Sequence, residues 1–215
     1  AKNEQTETWF KGLDRVYNNF VYDFLYPNPA SVLAFIENHD TDRFLGEGDN
    51  LPMLKQASTL LLPPRRIPQL YYGTEIMMNG VKSKSDGYVR KDFPGGWTGD
   101  TETALTAAGR SKIQNECYNF YKTLLNWRKG NDVIAKGNMV QFMVQNGVYA
   151  YARQHEGKTV FVMLNGTDAE TTVPLKFYKE ILKDSKQGKD ILSGKTVTFG
   201  ESLTMGPRES LVIEL

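Results

Sequence analysis

Disulfides, membrane spans and a strong net charge are all missing from this chain of 215 residues. Its single cysteine, Cys117, has no partner for an intrachain disulfide and falls on the apolar side of a predicted helix, where we expect a buried, unreactive thiol. No apolar run reaches the roughly 18 residues of a membrane span. With 26 basic and 25 acidic residues, the chain lacks the field of one sign that attracts nucleic acid or an anionic membrane.

Metal-binding and targeting signals are scarce too. The two histidines, His39 and His155, belong to no spacing typical of a metal site, so no cofactor is expected in this chain. The chain starts with alanine and shows no signal-peptide pattern, and we interpret it as a segment of a longer protein. Aromatic residues, by contrast, are abundant. Core packing is the expected role for most of them, and stacking on sugar rings is the alternative.

The first part of the chain alternates helical and strand patterns. Apolar residues at helical spacing predict three helices, over residues 8–25, 52–62 and 101–129. Two short, continuous apolar runs, 32–36 and 67–72, predict buried parallel strands between them. The loop from 76 to 100 is long enough to indicate a functional role.

The pattern changes after Gly130. Segments of alternating polarity predict antiparallel strands over 139–144, 148–153, 159–164, 171–175 and 211–215. Asn146-Gly147 is a typical two-residue hairpin turn between two of them. We therefore assign residues 133–215 to an antiparallel β-sandwich domain.

Residues 1–132 look incomplete as a domain. Strands that alternate with helices belong to a parallel sheet, but two such strands would leave an open edge on each side and too little core. The predicted fold class is thus α/β plus all-β, in which the closing segment of a larger α/β unit precedes the sandwich. Incompleteness also predicts self-association through exposed apolar faces.

Polar side chains are concentrated directly after the first predicted strand. Residues 35–44 read Phe-Ile-Glu-Asn-His-Asp-Thr-Asp-Arg-Phe, and six of these ten carry ionisable or amide groups. Functional sites in parallel α/β folds lie at the carboxyl ends of the strands. Capping by Asp42 and Arg43 and a buried His39 would be a purely structural explanation, but the density of polar groups favours a site.

Three motifs carry a resemblance to a known family. Phe35–Asp40 (FIENHD) resembles the fourth conserved region of the α-amylase family of retaining glycoside hydrolases. Ile67–Glu75 (IPQLYYGTE) resembles its eighth barrel strand, and Arg90–Trp97 (RKDFPGGW) resembles the following loop of neopullulanase and cyclomaltodextrinase-like members. The resemblance covers essentially the whole chain. It implies that residues 1–132 are the last two β/α units of a TIM-type (β/α)8 barrel and that the sandwich is the family's C-terminal domain.

The resemblance also implies roles for the residues that follow the first strand. Asp40 would be the catalytic carboxylate that binds two hydroxyls of the glucose at the cleavage site and stabilises the transition state. His39 would bind the same sugar in its transition state. We place Asn38 and Arg43 among the substrate-binding residues. Asn38 would orient its neighbours, and Arg43 would hold a carboxylate of the site in a bidentate pair. The alternatives are backbone capping for Asn38 and an ordinary surface ion pair for Arg43.

The second strand and its loop would complete the site. Tyr72 is expected at the barrel mouth near the substrate, and Phe93 and Trp97 would form a sugar platform or, alternatively, anchor the loop. Glu37 and Glu75 are expected to hold these residues in position without contacting the substrate themselves.

The same resemblance identifies what this chain does not contain. The family's nucleophile lies in a Gly-x-Arg-x-Asp pattern and its general acid is a Glu on the next strand, and neither is present here. Because retaining hydrolysis needs both carboxylates about 5–5.5 Å apart, we expect this chain alone to be inactive and the intact protein to hydrolyse α-glucans. Calcium, frequent in the family, would bind in the missing part. A polysaccharide substrate favours a periplasmic or extracellular location and leaves a cytoplasmic one open.

Other functions within and beyond this family stay open. One is a non-catalytic carbohydrate-binding or assembly protein, against which the Asn38-His39-Asp40 run argues. Another is a transglycosylase or isomerase, although the loop over 92–97 favours a neopullulanase-like hydrolase. The sequence departs from the family at Arg66, where a glycine is usual, and we expect this to affect barrel stability rather than chemistry.

Overall fold

The computed structural model describes residues 11–215, so the start of the predicted helix over 8–25 lies outside the described residues. Within them the α-helices are α1 Asp14–Val21, α2 Leu51–Leu61, α3 Asp86–Val89, α4 Lys112–Arg128, α5 Asp132–Lys136 and α6 Lys179–Leu182. The strands are β1 Leu33–Ala34, β2 Ile67–Pro68, β3 Asn138–Gln145, β4 Val148–His155, β5 Lys158–Asn165, β6 Thr171–Pro174, β7 Gln187–Asp190, β8 Thr196–Thr198, β9 Ser202–Met205 and β10 Ser210–Glu214.

The chain forms two compact units. Among the described residues, the β unit comprises 11–32, the short segment Pro63–Arg66 and residues Trp127–Leu215. The α/β unit comprises Leu33–Leu62 and Ile67–Asn126. The α/β unit is continuous except for Pro63–Arg66, which belongs to the β unit. The predicted division into domains 1–132 and 133–215 stays a prediction.

The β unit is built from antiparallel strands, as the alternating pattern predicts. One sheet has the order β3-β4-β5-β10-β7-β8, and β6 pairs with β9 in a second, two-stranded sheet. The core contains residues from both sheets, among them Ala150, Phe161, Val173, Met205 and Ile213, and all five are fully buried. The five predicted strands correspond to β3, β4, β5, β6 and β10 and are confirmed.

Strands β7, β8 and β9 were not predicted. β7 contains no apolar side chain that could alternate with its polar ones, whereas β8 and β9 do alternate but are only three and four residues long. In β7 the buried positions are Gly188 and Asp190. A side chain at Gly188 would meet Ile213 Cγ2 at 2.4 Å, so the close approach of β10 requires glycine. Asp190 lies in the interior because its carboxylate accepts hydrogen bonds from Val212 N (3.0 Å) and Ser193 N (2.8 Å).

The predicted hairpin turn at Asn146-Gly147 is present between β3 and β4. Both residues have positive φ, 51° and 78°, which is the conformation of a type I′ turn. A Cβ at Gly147 would also lie 2.4 Å from Thr167 Cγ2, so two constraints favour glycine there.

The α/β unit contains much less strand than its sequence predicts. β1 and β2 are parallel, with Leu33 opposite Ile67, but only two residues of each are paired. Leu33, Phe35 and Ile67 are 52%, 44% and 50% exposed. The predicted burial of these strands is therefore wrong for this chain, because the described residues leave their apolar side chains partly open to solvent.

Helix α4 begins eleven residues later than the helical spacing predicts. Ser111 and Gln114 form a reciprocal capping box, in which Gln114 Oε1 accepts from Ser111 N (2.9 Å) and Ser111 Oγ from Gln114 N (3.3 Å). Leu105, an apolar residue within the predicted helix over 101–129, is 62% exposed in the turn-rich segment before α4. The sequence contains this capping pair, but apolar spacing alone predicts a helix that begins before it.

In helix α4, Cys117 is buried, as the sequence predicts. Its side chain is fully buried, and burial raises the pKa of the thiol to about 12. The predicted inert thiol is thus supported by its surroundings. None of the helices described over residues 11–215 is long and apolar enough to cross a membrane.

Arg66, the residue that departs from the family, has a defined partner in the β unit. The carboxylate of Asp23, which is almost fully buried, accepts hydrogen bonds from Arg65 Nη2 (2.8 Å) and from Arg66. The Arg66 guanidinium also lies 5.3 Å from the centre of the Phe20 ring. Two guanidinium groups around one buried carboxylate attach Pro63–Arg66 to the segment after α1. The expected effect of Arg66 on a barrel stays a prediction.

Candidate functional site

The chain turns sharply after β1 and directs two polar side chains outward. Asn38 Oδ1 accepts a hydrogen bond from Asp40 N (2.8 Å), and Asn38 N donates to Thr41 Oγ1 (3.0 Å). This Asx turn leaves the side chains of His39 and Asp40 58% and 61% exposed. Asn38 thus sets the backbone that presents its two neighbours, which is compatible with both roles considered for it.

Arg90 holds Asp40 from the loop after α3. Its Nη2 lies 3.2 Å from Asp40 Oδ1 and 3.1 Å from Asp86 Oδ2, and its Nε donates to His39 O (3.0 Å). On the other side of the carboxylate, His39 Nε2 lies 3.2 Å from Asp40 Oδ2. Sequence reasoning used Arg90 as part of a loop motif and missed this contact, because nothing in local spacing joins residues fifty positions apart.

The buried carboxylate of Glu37 stabilises the backbone that follows strand β1. Glu37 is 2% exposed, and its oxygens accept hydrogen bonds from Thr74 Oγ1, from Phe44 N and from Arg43 Nη1 (3.3 Å). The last of these is also an ion pair inside the protein. Glu37 therefore connects the segment after β1 to the segment after β2, which agrees with a supporting position.

Arg43 lies inside the α/β unit, and this corrects its predicted placement. The side chain is fully buried, with Nη1 donating to Tyr72 O (2.7 Å) and Nε to Val89 O (3.0 Å). Its guanidinium carbon is 4.0 Å from the centre of the Tyr71 ring. The pair with Glu37 uses one nitrogen and is buried, so it is neither the bidentate pair nor the surface pair expected. An enclosed guanidinium acts on the site by positioning, not by direct contact with a substrate.

The remaining predicted residues surround the same strand ends. Tyr72 is partly exposed, and its hydroxyl donates to Lys91 O (2.6 Å), which joins the second strand end to the long loop. Glu75 is half-buried in the short 3-10 helix Thr74–Ile76. Phe93 is half-buried as well. Trp97 is 67% exposed, the most open of the predicted aromatics.

The loop that carries Trp97 has its own internal support. Asp100 Oδ2 accepts hydrogen bonds from Gly95 N (2.8 Å) and Trp97 N (3.1 Å). The indole is thus displayed on an ordered turn. An exposed ring on an ordered turn suits a sugar platform, and an anchoring role for Trp97 is disfavoured by its exposure.

The chemistry available here is that of a hydrogen-bonding cradle. Asp40 offers carboxylate oxygens, His39 offers an imidazole, and both are open to solvent beside the charge of Arg90. Among residues 11–215, no three His, Cys, Asp or Glu side chains come together as a metal site would require. The arrangement is suited to a neutral ligand with several hydroxyl groups.

Comparison with known proteins places this chain in a family. The family profile for the cyclo-malto-dextrinase C-terminal domain matches residues 139–214. An α-amylase from Niallia circulans is 30% identical over 199 residues, which cover 89% of this chain and 33% of that protein. A cyclomaltodextrin glucanotransferase from Thermoanaerobacterium thermosulfurigenes is 31% identical over 196 residues, covering 87% of this chain and 24% of that protein.

The chain is a C-terminal part of an α-amylase-family protein. It spans 33% of the length of the first of these two curated relatives and 24% of the second. The relatives are glycosidases or transglycosylases by name.

Solved structures agree with this assignment at the level of the fold. The Anoxybacillus α-amylase aligns with 95% of this α-amylase-family chain at a TM-score of 0.75 and 20% identity, over 42% of its own length. The γ-cyclodextrin glucanotransferase of Bacillus clarkii aligns with 95% of the chain at a TM-score of 0.71 and 23% identity, over 29% of its length. Since both alignments extend over nearly the whole chain, the similarity includes both compact units.

Proposed function

We propose that this chain is the C-terminal part of a retaining enzyme that hydrolyses α-glucans such as starch, maltodextrin, pullulan or cyclodextrin. The observation that carries the proposal is the presentation of Asp40 and His39 at the end of β1, with Arg90 fixing the carboxylate (Nη2 to Oδ1, 3.2 Å). An exposed carboxylate held by a cation is oriented before any ligand arrives, so binding a sugar hydroxyl costs little reorganisation.

In the proposed mechanism Asp40 accepts hydrogen bonds from two hydroxyls of the glucose at the cleavage site. These bonds strengthen as the ring flattens toward the oxocarbenium-like transition state, which makes them catalytic rather than merely binding. His39 binds the same sugar from the adjacent position. The nucleophile and the general acid would come from the part of the protein that precedes this segment, so this chain alone would not turn over substrate.

The α/β unit is proposed to be the last two β/α units of a (β/α)8 barrel. Its support is the parallel pairing of β1 with β2 and the exposure of apolar side chains on both strands, which further strands would cover. Helices α2 and α4 would be two of the outer helices. Separated from the rest of such a barrel, these faces would promote self-association or aggregation.

A transglycosylase is the second candidate, and one observation favours it. Many of the similar proteins are named cyclomaltodextrin glucanotransferases, including the one at 31% identity. The neopullulanase-like loop over 90–97 favours hydrolysis. Incubating the intact enzyme with maltodextrin separates the two, because a hydrolase releases new reducing ends whereas a transglycosylase forms cyclic or longer glucans.

Replacing Asp40 by Asn in the intact protein tests the proposed role. We expect turnover of maltodextrin to fall about 100-fold or more, which corresponds to about 3 kcal/mol of lost transition-state stabilisation. The thermal unfolding midpoint should stay within error of the wild type, since Asp40 is exposed.

Asp42→Asn is a matched control for this test. It removes the same charge two residues away, and its oxygen can still accept the hydrogen bond from Lys82 N (2.6 Å). Turnover should stay within a few-fold of the wild type. If Asp40→Asn keeps near-full activity, or if both variants lose activity equally, the role assigned to Asp40 is wrong.

A further inference from the structure

A pocket in the β unit, called the Trp127 pocket below, shares no residue with the site at the end of β1. Its volume is about 610 Å³, and it opens between the last turn of α4, the start of α5, the β4–β5 turn and the end of β10. Its lining side chains include Trp127, Asp132, His155, Lys158 and Glu214. A pocket of this size can take two or three sugar rings.

The aromatic wall of the pocket is fixed in orientation. The indole Nε1–H of Trp127 donates to Glu214 Oε1 at 2.7 Å. Because this bond ties the ring to the end of β10, little rotational freedom would be lost when a ligand packs on the ring. Trp127 is half-exposed and lines the opening, so part of the indole is available for contact. A rigid aromatic face is the surface on which the apolar side of a pyranose ring packs.

The polar wall carries both signs of charge. Asp132, Glu156 and Glu214 are acidic, Lys129 and Lys158 are basic, and no sign dominates. A strongly anionic or cationic ligand would therefore gain little from long-range attraction. Carboxylates, ammonium groups and an imidazole around one aromatic ring provide hydrogen-bond acceptors and donors for a neutral ligand that bears many hydroxyls.

A separate groove of the β unit shows the contrast. It is lined by Lys176, Lys179, Lys183 and Lys186 against a single acid, Glu201, and its Phe199 is half-buried. That composition favours anions, and nothing in it matches a neutral sugar. Of these two cavities, only the Trp127 pocket combines mixed charge with an oriented indole.

We propose that the Trp127 pocket is a second glycan-binding site that holds an α-glucan chain on the β unit without taking part in its cleavage. The choice of α-glucan as the glycan rests on the proposed function. Trp127 supplies the stacking surface. Asp132, Lys158 and the second carboxylate oxygen of Glu214 bind hydroxyls. The site would raise the local concentration of polymeric substrate and leave small substrates unaffected.

The test compares binding of a polymer with turnover of a small substrate in the intact protein. Binding is measured by electrophoretic retardation in gels containing glycogen, and turnover with a chromogenic maltoside. Trp127→Ala should weaken retardation about fivefold or more, in line with about 1 kcal/mol or more for an aromatic stacking contact, and leave maltoside turnover within a factor of two.

Three further variants make the result specific. Phe177→Ala removes another exposed aromatic of the β unit and should leave retardation unchanged. Asp132→Ala, an exposed polar change with little risk to folding, should weaken retardation two- to threefold and guards against misfolding of the tryptophan variant. Asp40→Asn should lose turnover but keep retardation, since it belongs to the other unit.

The outcomes separate this inference from the proposed function. If Trp127→Ala and Asp132→Ala are retarded like the wild type while the wild type hydrolyses maltoside, the pocket is no glycan site and the proposed function stands. If the wild type is neither retarded nor active on any α-glucan, both proposals fail. Loss of retardation in the two pocket variants with maltoside turnover retained supports the second site.

Discussion

The two compact units use their apolar residues in opposite ways. In the β unit Phe161, Met163 and Ile213 are fully buried between two antiparallel sheets. In the α/β unit Leu33 and Ile67, which face each other in the parallel pair, remain about half-exposed. One unit closes a core with its own sheets, and the other leaves apolar side chains of its paired strands open, which the strands of the proposed barrel would cover. The contrast teaches that the core of the β unit follows from this chain alone, whereas the exposed face of the α/β unit is explained only under the proposed barrel.

Deleting a phenyl ring in each unit should produce the largest difference. Phe161→Ala empties space between Tyr178 and the sheet (ring centres 5.3 Å apart) and should lower the free energy of unfolding of the chain by about 3–5 kcal/mol. Phe35→Ala removes a side chain that is 44% exposed and should cost about 1 kcal/mol or less. Urea unfolding followed by circular dichroism measures both.

The same two variants in the intact protein sharpen the comparison. If further strands cover β1, Phe35→Ala should there cost about 2 kcal/mol or more, while the effect of Phe161→Ala stays the same. An equally small cost for Phe35→Ala in both proteins would contradict the proposed barrel.

A somewhat smaller effect is expected from the buried carboxylate of the α/β unit. Glu37→Ala leaves the enclosed Arg43 without its ion-pair partner and should destabilise the unit by about 3 kcal/mol. The control is Glu116→Ala, which breaks an exposed pair with Lys55 (2.6 Å) and should cost less than about 1 kcal/mol. Similar unfolding midpoints for the two variants would show that Glu37 is not structurally important.

Near neutral pH the smallest effect on stability is that of the Cys117 thiol, whose ionisation changes stability only under alkaline conditions. Burial raises the pKa of Cys117 from 9.0 to about 12, so the unfolded chain loses this proton first as pH rises. Its contribution to stability is complete below about pH 9 and should be lost progressively toward pH 12. In the native chain at pH 8, iodoacetamide should modify Cys117 on the order of 100-fold more slowly than in urea, as measured by mass spectrometry. Rapid native modification would show that the α/β unit opens readily.

Predictions for the fold succeeded where a local pattern carried the information. Strands β3 and β4 flank the Asn146-Gly147 turn, and β4 and β5 are short runs rich in Val, Tyr and Phe, so local rules were sufficient. β7 has no such run, and its place is set by contact with β10 from far along the chain. The predicted start of helix α4 is too early because apolar spacing carries no information on the capping pair of Ser111 and Gln114, at which the helix begins.

For the candidate site, sequence reasoning found the residues but not all of their surroundings. Asn38, His39 and Asp40 were recognisable as a dense polar run after an apolar one. Their connection to Arg90 depends on how the loop after α3 folds back, and the burial of Arg43 depends on Tyr71 and Val89 closing over it. The spacing of residues near Asp40 predicts neither the contact with Arg90 nor the burial of Arg43.

The sequence by itself determined the family, the antiparallel character of the β unit and the polar run at the end of β1, because each depends on neighbours within a few positions. Only the tertiary structure decided that Arg43 is a buried support, that Arg90 holds Asp40 and that Trp127 is fixed by Glu214. Those contacts join residues 6, 50 and 87 positions apart. The longer two arise from packing between elements, which no local propensity encodes, and burial of Arg43 arises from everything that packs around it.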